Sequence, residues 1–492
     1  MLSPTITEAQ KLQGFDVIPI KRELLSDFIT PIEALRRLQN VSRHCYILES
    51  VENREKWGRY TFLGYDPKLE ISCSNGVTTV KDVRTGDVKA HRLAHPVEYL
   101  RELMSKLKSP KLDGFPSFTG GLVGYFSYDY IKYSEPTLTL DALDEEHFKD
   151  VDLMLFDKVI AFDNIRQKIE LIINISTENI AENYSKAEEE LCQMEELIRR
   201  GEPAAAKPPK LKSGFRHLFE KDEYCKMVEK AKKYIYEGDI FQAVLSNRLD
   251  ADFEGSLLDV YRILRTANPS PYMFYFSSDD MEVAGASPET LVKLEDGILH
   301  TFPIAGSRPR GKTDEEDKAL EAELRADEKE LSEHNMLVDL GRNDIGKISK
   351  FGTVEVEKYM EILRYSHIMH ICSTVKGRIK DGCDAFDAVN AVLPAGTLSG
   401  APKIRACEII NELENNKRGI YGGAIGYIGF NGGMDTCIGI RLCYKKNGRV
   451  FVRAGAGIVA DSVPEREFTE CVNKAKAVVN AIRSVTETED AL

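Results

Sequence analysis

The stretch TCIGIRLCYKKNGRVFVRAG, residues 436–455, decides the fold class of this chain. Apolar alternations flank Asn447 and Gly448, and Asn-Gly is a strong signal for a two-residue hairpin turn. The same pattern occurs in LVKLEDGILHTF, residues 291–302, where Asp-Gly forms the turn. The sequence therefore predicts antiparallel strands, and counting back from the first turn places Arg441 opposite Ala454, beside Gly455.

Periodic apolar residues predict helices and further strands around these hairpins. Helical spacing runs from about Asn183 to Arg199, and again from Tyr224 to a suitable C-cap at Gly238. The next segment, FQAVLSNRLDADF, alternates as a strand with Phe241 on its buried face. LMLFDKVIAF, residues 153–162, is predicted to form one strand. We predict an α+β fold with two antiparallel sheets packed face to face, flanking helices, and the active site between the sheets.

Composition limits the class of protein. The 492 residues, 42% of them hydrophobic, can bury a large core, and two domains are expected, with the Pro-, Ala- and Lys-rich stretch 199–214 crossing between them. A formal charge of −13 argues against nucleic acid and anionic membranes as partners. No apolar run suggests a membrane span, and the N-terminus does not resemble a signal peptide, so a cytoplasmic protein is expected. The ten cysteines lack a CxxC pair, which favours reduced thiols over disulfides or a zinc site.

Two acidic clusters lie where apolar helical stripes begin. In ELSEHNMLVDLGRND, residues 330–344, Glu330 and Glu333 head the stripe that two leucines would bury. In PEREFTECVNKAKAVVNAI, residues 464–482, Glu467 and Glu470 occupy the corresponding places. Facing helices of this kind could hold a hard divalent cation, and Mg²⁺ suits such carboxylates. The alternative is a solvated acidic face or an ordinary capping pair.

A glycine-rich segment permits a rival reading. Gly455, Gly457 and Ala460 match G-x-G-x-x-A, which would indicate a dehydrogenase if a helix began there. Asp461, Ser462 and Pro464 delay that helix, so this match is weak.

The order of the motifs closely resembles the chorismate-utilising enzymes over residues 220–485. The segments that carry the resemblance are DIFQAVLSNR, NPSPYMFYF, GASPETLVKL, TFPIAGSRPRG, ADEKELSEHNMLVDLGRND, YSHIMH, LPAGTLSGAPK, GGAIGYIGF, IGIRLCY and RAGAGIVADSVPEREFTECVNKAKA. Residues 1–200 resemble the N-terminal region of anthranilate synthase component I through CYILESVENREKWGRYTFLG, residues 45–64. Residues 201–219 are then a linker, and residues 486–492 a disordered tail.

The resemblance also indicates a branch of the family. Ala305 is similar to the anthranilate synthase form, whereas aminodeoxychorismate synthases typically carry lysine there. Gln242 stands where the water-adding isochorismate enzymes place a basic lysine, so nitrogen is the expected nucleophile. The implied reaction converts chorismate and ammonia to anthranilate and pyruvate, the first step of tryptophan biosynthesis. Aminodeoxychorismate synthase component I is the alternative, and a tryptophan-binding subunit without catalysis is a more distant one.

The resemblance assigns roles to individual residues. The implied Mg²⁺ ligands are Glu333 and Glu470, with Glu330 and Glu467 holding metal-bound waters. Glu289 matches the acid that helps the ring hydroxyl leave, His370 the histidine linked to loss of pyruvate, and Thr397 lines the same pocket. The implied substrate-binding residues are Gly306, Ser307, Tyr421, Arg441, Gly455, Ala456, Gly457 and Lys474. Ser307 departs from the family, which usually has threonine there.

Regulation and a partner are implied in the same way. The tryptophan feedback site of the family matches Glu49, Ser50, Lys56, Pro271, Tyr272 and Met273. None of the ten cysteines has the G-x-C-x-G context of a glutaminase nucleophile. A separate glutamine amidotransferase subunit, component II, is therefore expected to supply ammonia.

Overall fold

The computed structural model describes residues 2–50, 58–205, 207–364 and 368–486. Within them lie two antiparallel sheets and twelve α-helices, numbered here along the chain. The α+β prediction is confirmed.

The first sheet has fourteen described strands in the order β1-β2-β11-β10-β4-β3-β15-β16-β25-β26-β14-β12, with β13 and β22 also pairing with β14. Its strands are β1 Leu2–Ser3, β2 Val17–Leu25, β3 Cys45–Glu49, β4 Tyr60–Tyr65, β10 Lys158–Asp163, β11 Lys168–Ser176, β12 Lys210–Leu211, β13 Arg216–His217, β14 Gln242–Glu254, β15 Tyr272–Ser277, β16 Met281–Ser287, β22 Gly400–Ala401, β25 Leu442–Lys446 and β26 Arg449–Ile458.

The second sheet has twelve described strands in the order β19-β21-β18-β17-β24-β23-β8-β9-β5-β6-β7, with β20 also pairing with β21. Its strands are β5 Leu69–Ser74, β6 Val77–Asp82, β7 Val88–Arg92, β8 Gly121–Phe126, β9 Val151–Phe156, β17 Thr290–Glu295, β18 Ile298–Thr301, β19 Ile304–Pro309, β20 Glu355–Arg364, β21 Ile368–Arg378, β23 Ala424–Gly429 and β24 Met434–Ile438.

The described helices are α1 Ile6–Ala9, α2 Pro31–Val41, α3 Val97–Ser105, α4 Ile131–Ser134, α5 Ile180–Arg200, α6 Lys221–Glu237, α7 Leu258–Ala267, α8 Asp314–Ala326, α9 Glu328–Gly346, α10 Ala385–Val392, α11 Lys403–Glu414 and α12 Pro464–Thr486. Short 3-10 turns lie at Tyr128–Tyr130 and Gly396–Leu398. In the described residues, no helix is both long enough and apolar enough to cross a membrane.

The two sheets bury a shared aromatic layer. Tyr46, Phe156 and Phe274 belong to one cluster of buried side chains with Tyr125 and Tyr427. Each fully buried aromatic or aliphatic side chain contributes about 1.5–3 kcal/mol of transfer free energy. Separate apolar clusters join the first sheet to α2, α5, α7 and α12, and the second sheet to α3, α9 and α10. The sheets therefore pack face to face between two helical layers, as in the predicted fold.

Both sheets contain strands from the two halves of the sequence, which meet at one seam in each sheet. In the first sheet β3 pairs with β15, with Glu49 opposite Met273. In the second sheet β8 pairs with β23, with Gly124 opposite Gly426. These glycines belong to GGLVGY and GGAIGY, and a β-carbon at Gly124 would lie 2.1 Å from the carbonyl oxygen of Asp152. The glycine-rich segments therefore permit close approach of backbones at the centre of the second sheet.

Several local predictions are confirmed. Asn447 and Gly448 turn the β25–β26 hairpin between Lys446 and Arg449, and the second predicted hairpin joins β17 to β18. Gly238 ends α6 with φ of +86°, a left-handed conformation that glycine adopts without steric cost.

Two local predictions are wrong. The stretch 153–162 contains two strands, β9 and β10, which belong to different sheets and are separated at Asp157. The apolar run does not reveal this break because both strands are buried on both faces. Phe241 is 75% exposed rather than buried, because β14 begins only at Gln242. The predicted tail falls on residues outside the described part of the chain, apart from Thr486, which ends α12.

Candidate active site

Two neighbouring connections between the sheets form the centre of the candidate site. Residues 288–289 lead from β16 to β17, and residues 439–441 lead from β24 back to β25. The Ile438 N–H donates to the Glu289 carbonyl over 3.0 Å, and the Ala286 N–H donates to the Arg441 carbonyl over 3.1 Å. Since these bonds fix the two connections side by side, Glu289 and Arg441 are placed close to the junction of the sheets.

Arg441 faces a cleft and has no acidic partner among the described residues. Its φ is +53°, so the chain leaves the regular strand at this residue, just before β25. The paired register of β25 with β26 ends at Cys443 opposite Val452, two residues short of Arg441, so the predicted place of Arg441 opposite Ala454 stays a prediction. Burial lowers the pKa of the guanidinium, and the nearby Tyr421 opposes that shift. A desolvated cation without a counter-ion is suited to binding an anion. The cleft, of about 660 Å³, is lined by Arg441, Glu465, Arg466, Thr469, Glu470, Asn473 and Lys474.

The end of β26 forms a wall next to Lys474, one of the residues that line this cleft. A β-carbon at Gly455 would lie 2.9 Å from the Tyr421 hydroxyl, and one at Gly457 would lie 2.6 Å from the Gln242 amide nitrogen. The Ala456 side chain instead packs in a buried apolar cluster. The two glycines therefore let the side chains of Tyr421 and Gln242 approach the β26 backbone closely, whereas the Ala456 side chain points into the core.

Lys474 connects this wall to the acidic residues. Its Nζ donates to the Gly455 carbonyl over 3.1 Å and lies 2.7 Å from Glu470 Oε1. Burial raises the pKa values of Glu289, Glu333 and Glu467, and the charge of Lys474 partly opposes each of these shifts. Residues from α9, α12 and the β16–β17 connection are thus brought around one ammonium group.

The acidic residues of α9 and α12 influence one another. Loss of hydration raises the pKa of Glu333, and the negative charges of Glu330 and Glu470 add to the rise. Loss of hydration also raises the pKa of Glu467, and Glu470 again adds to it. Glu333 and Glu470 both retain exposed surface, and the Glu333 carboxylate makes no hydrogen bond or ion pair to any described residue. In the described part of the chain, these acids do not form a group of three ligand atoms within 4.8 Å of one another.

Glu289 and Thr397 meet in a small cavity of about 40 Å³. The Thr397 hydroxyl donates to Glu289 Oε1 over 3.1 Å. Burial raises the pKa of Glu289 from 4.5 to about 8, although the Thr397 hydrogen bond and the Lys474 charge act in the opposite direction. The Glu289 side chain is therefore a protonated, neutral carboxylic acid at pH 7.

A β-bulge positions His370. The register between β19 and β21 shifts at Gly306, which has φ of +73°, so Ala305 pairs with Ile371 and Ser307 with His370. His370 Nδ1 lies 3.1 Å from the Gly306 carbonyl and donates to it. Burial and the Arg441 charge lower the pKa of His370, against the effect of that carbonyl. A neutral imidazole is thereby held in one orientation, whereas Ser307 lies on the exposed side of the bulge.

The residues predicted for tryptophan binding lie at the seam of the first sheet. Glu49 is buried and accepts two hydrogen bonds from Arg265, of 2.7 and 2.8 Å, and one from the Tyr261 hydroxyl. Pro271, Tyr272 and Met273 belong to the neighbouring strand or its start, and the Tyr272 hydroxyl donates to Asp435 over 2.8 Å. Ser50 directly follows β3, and Lys56 lies outside the described residues. The structure thus brings together the two sequence segments of this predicted site.

A buried ion pair beneath the site was not predicted. Arg418 donates to Glu414 over 3.0 Å and to the Leu398 carbonyl over 2.6 Å, next to Thr397. Glu414 also accepts from the Ser246 N–H over 2.7 Å, at the residue opposite Gly455. The four-residue spacing of Glu414 and Arg418 is the only sequence signal for this ion pair, and many exposed helical ion pairs have the same spacing.

Comparison with known proteins agrees with this architecture. The sequence profile of the chorismate binding enzymes matches residues 43–480. The chain is 46% identical to anthranilate synthase component 1 of Acetivibrio thermocellus, over 99% of this chain and 100% of the relative. It is 44% identical to the protein of that name from Aquifex aeolicus, over 99% of each.

The crystal structure of anthranilate synthase component I from Streptococcus pneumoniae is similar to this chain, with a TM-score of 0.75 and 39% identity. The match covers 92% of this chain and 98% of that one. The isochorismate synthase MenF from Escherichia coli, 18% identical with a TM-score of 0.69, covers 97% of this chain and 98% of its own and shares the fold. The chain therefore belongs to the chorismate-binding enzymes and, among them, to the anthranilate synthase component I family.

Proposed function

We propose that this chain is a Mg²⁺-dependent lyase that converts chorismate and ammonia to anthranilate and pyruvate. The observation that carries the proposal is the Arg441 guanidinium, which is desolvated, has no acidic partner among the described residues and faces a cleft. In a chain of charge −13, a cation kept in this state supports a carboxylate ligand. Chorismate carries two carboxylates, and its side-chain carboxylate is the group assigned to Arg441, Tyr421 and the backbone of residues 455–457.

The second carboxylate would face the acids of α9 and α12, which cannot bind an anion by themselves. Burial raises the pKa values of Glu333 and Glu467, and the negative charge of Glu470 adds to both shifts, so a cation placed among these carboxylates would be favourable. Glu333 and Glu470 would hold Mg²⁺, with Glu330 and Glu467 behind them. Because these acids are spread apart, they suit an ion that keeps several positions for water and substrate. When bound, Mg²⁺ supplies the positive charge that neutralises the ring carboxylate and polarises it.

Glu289 is proposed as the acid for departure of the ring hydroxyl. Since Thr397 donates to Oε1, the proton of the neutral carboxyl group is assigned to Oε2. Transfer of that proton to the hydroxyl lets it leave as water while ammonia adds to the ring. Gln242, which lies against the β26 backbone, is a neutral amide and a poor base for activating water, which supports nitrogen as the nucleophile.

His370 is proposed to move protons when pyruvate is lost. Its lowered pKa keeps the imidazole neutral, and the Gly306 carbonyl fixes which ring nitrogen carries the hydrogen. A neutral histidine can accept the ring proton as the C–O bond breaks. Breaking the C–O bond releases the enolate of pyruvate, and one proton must then reach its methylene carbon to give pyruvate.

Regulation and partnership complete the proposal. Tryptophan would bind at the seam between β3 and β15, where Ser50 and Tyr272 come together, and would inhibit the enzyme. Ammonia would come from a separate glutamine amidotransferase subunit, component II. This is supported by the ten cysteines, none of which forms a disulfide in the described residues and none of which lies in a glutaminase motif.

The test uses the purified chain with chorismate, Mg²⁺ and ammonium. The expected product is fluorescent anthranilate with an equal amount of pyruvate, and tryptophan should reduce the rate. An unaromatised aminated product without pyruvate would instead indicate aminodeoxychorismate synthase, against the assignment from Ala305. Glutamine should replace ammonium only after component II is added.

A further inference from the structure

A second cluster of metal-ligand side chains lies at one end of the sandwich, away from the candidate active site. His44 immediately precedes β3, and Asp279 lies in the turn between β15 and β16, so both belong to the first sheet. Glu70 belongs to β5 of the second sheet. One ligand atom from each of the three lies within 4.8 Å of the other two. The cluster therefore spans the interface between the sheets.

His44 supplies the observation that distinguishes this cluster from an ordinary acidic patch. The residue is only 4% exposed, and its buried Nε2 makes no hydrogen bond of ordinary geometry to the described residues. That nitrogen lies 3.5 Å from Glu70 Oε2 and 3.8 Å from Asp279 Oδ2. Because buried polar atoms usually make shorter hydrogen bonds than these contacts, the spacing of this nitrogen from two carboxylates indicates room for a ligand that all three could share.

Two lysines share the carboxylates and must be considered. Lys149 lies on the far side of Glu70, 3.3 Å from Oε1, and also contacts Asp152 and Asp280. It leaves Glu70 Oε2 directed toward His44. Lys81 lies nearer, with its ammonium bonded to Asp279 and 3.8 Å from Glu70 Oε2.

The Lys81 side chain can move away from Asp279 and Glu70 without disturbing the strands. Its side chain is 31% exposed and that of Asp279 is 40% exposed, so the flexible lysine can turn into solvent. Lys149 would remain as the counter-ion of Asp152 and Asp280. A divalent ion would then take the place of one ammonium group.

We propose that His44, Glu70 and Asp279 form a binding site for a divalent transition-metal ion of the Zn²⁺ class, which displaces Lys81 and links the two sheets. Tetrahedral bonds of about 2.1 Å place neighbouring ligand atoms about 3.4 Å apart, close to the separations from His44 Nε2. Three protein ligands leave one position for water. Imidazole favours Zn²⁺, Co²⁺ or Ni²⁺ over Mg²⁺, so this site differs in metal preference from the acids of α9 and α12.

Cobalt is the probe of choice because its visible spectrum separates nitrogen and oxygen ligands from thiolates, which matters in a chain with ten cysteines. The chelator-treated full chain is titrated with Co²⁺ in excess Mg²⁺, and binding is followed by absorbance and by thermal unfolding. We expect one equivalent bound without a thiolate charge-transfer band. At about 100 times the dissociation constant, Tm should rise by roughly 2–3 °C.

Four variants decide the outcome. Both His44→Gln and the more exposed Asp279→Asn should lose the spectrum and the Tm rise, and the second serves if the first fails to fold. Lys81→Met should bind Co²⁺ at least about threefold more tightly, because the competing ammonium is gone. His91→Gln, on β7 of the second sheet and stacked on Tyr99, is the matched control and should bind like the wild type.

Equal Co²⁺ binding by the wild type, His44→Gln and Asp279→Asn would overturn the proposal, as would a spectrum of thiolate ligands only. An unchanged affinity in Lys81→Met would contradict the displacement of that lysine. None of these results depends on chorismate turnover, so the experiment tests the metal site independently of the proposed function.

Discussion

Replacing Glu289 with glutamine should make the protein more stable at neutral pH and almost inactive. The carboxyl is protonated in the folded state up to its pKa of about 8, whereas in the unfolded chain it ionises near 4.5. For a group whose folded pKa is raised in this way, stability falls as pH increases from 4.5 to 8 and is unaffected below that window. Glutamine has a similar shape and does not titrate, so it avoids this loss.

The size of the effect follows from the same values. Each pH unit within the window costs about 1.4 kcal/mol, so from 4.5 to 7 the loss approaches about 3 kcal/mol. Because Glu289 retains some contact with solvent, this figure is an upper limit for Glu289→Gln. Urea unfolding at pH 7 should therefore show a gain in the free energy of unfolding, and at pH 4 it should show almost none.

Activity should change in the opposite direction. Loss of a general acid typically lowers the rate by about 10²–10⁴-fold. In the wild type, the protonated fraction of Glu289 falls from about 0.9 at pH 7 to about 0.1 at pH 9, and kcat/KM should fall with it. Free ammonia must be held constant across this range, since its own protonation changes with pH. Glu188→Gln, an exposed site on α5, is the matched control and should change neither property.

Two results would refute this reasoning. A Glu289→Gln variant that keeps more than a tenth of the wild-type rate would remove Glu289 as the acid. A variant that loses stability equally at pH 4 and pH 7 would show that the packing of residue 289, and not the protonation of its carboxyl group, determines the change in stability.

Further substitutions test other parts of the account. Arg441→Gln should raise KM for chorismate by about 10²-fold without loss of thermal stability, and a normal KM would exclude Arg441 as the carboxylate anchor. Glu470→Gln should abolish Mg²⁺-dependent turnover whereas Glu188→Gln should not, and near wild-type activity in the former would contradict the metal assignment. Ser50→Ala should relieve tryptophan inhibition with little change in the uninhibited rate, and a fully inhibited variant would remove Ser50 from the feedback site. Gly124→Ala should cost at least about 1–3 kcal/mol in urea unfolding, because its β-carbon would collide with the backbone of β9.

Local sequence signals were sufficient for the elements that depend on neighbouring residues. The turn at Asn447 and Gly448 and the end of α6 at Gly238 follow from backbone preferences that act within a few residues. Alternation gave β14, but it could not show that Phe241 lies just outside the strand.

Long-range pairing lay beyond such signals. The run 153–162 divides between two sheets, and nothing in its apolar pattern indicates the division at Asp157. The seams at Met273 and Gly426 join residues that lie more than two hundred positions from their partners. Only the resemblance to a family brought those segments together before the structure did.

The candidate site shows the same limit. The acids at 330, 333, 467 and 470 could be placed on helical faces, but the role of Lys474 among them depends on how α12 packs on β26. The hairpin count predicted Arg441 beside Gly455, yet it could not show that the guanidinium would have no acidic partner among the described residues. Likewise, the raised pKa of Glu289 arises from burial by segments distant in the sequence.

The central claim is that this acidic protein binds a dicarboxylate and aminates it. The most direct measurement follows anthranilate fluorescence and pyruvate release from the purified chain with chorismate, ammonium and Mg²⁺, with and without chelator. The account predicts equal amounts of both products and complete loss of turnover once the metal is removed. Full activity in the chelator, or consumption of chorismate without anthranilate, would contradict it.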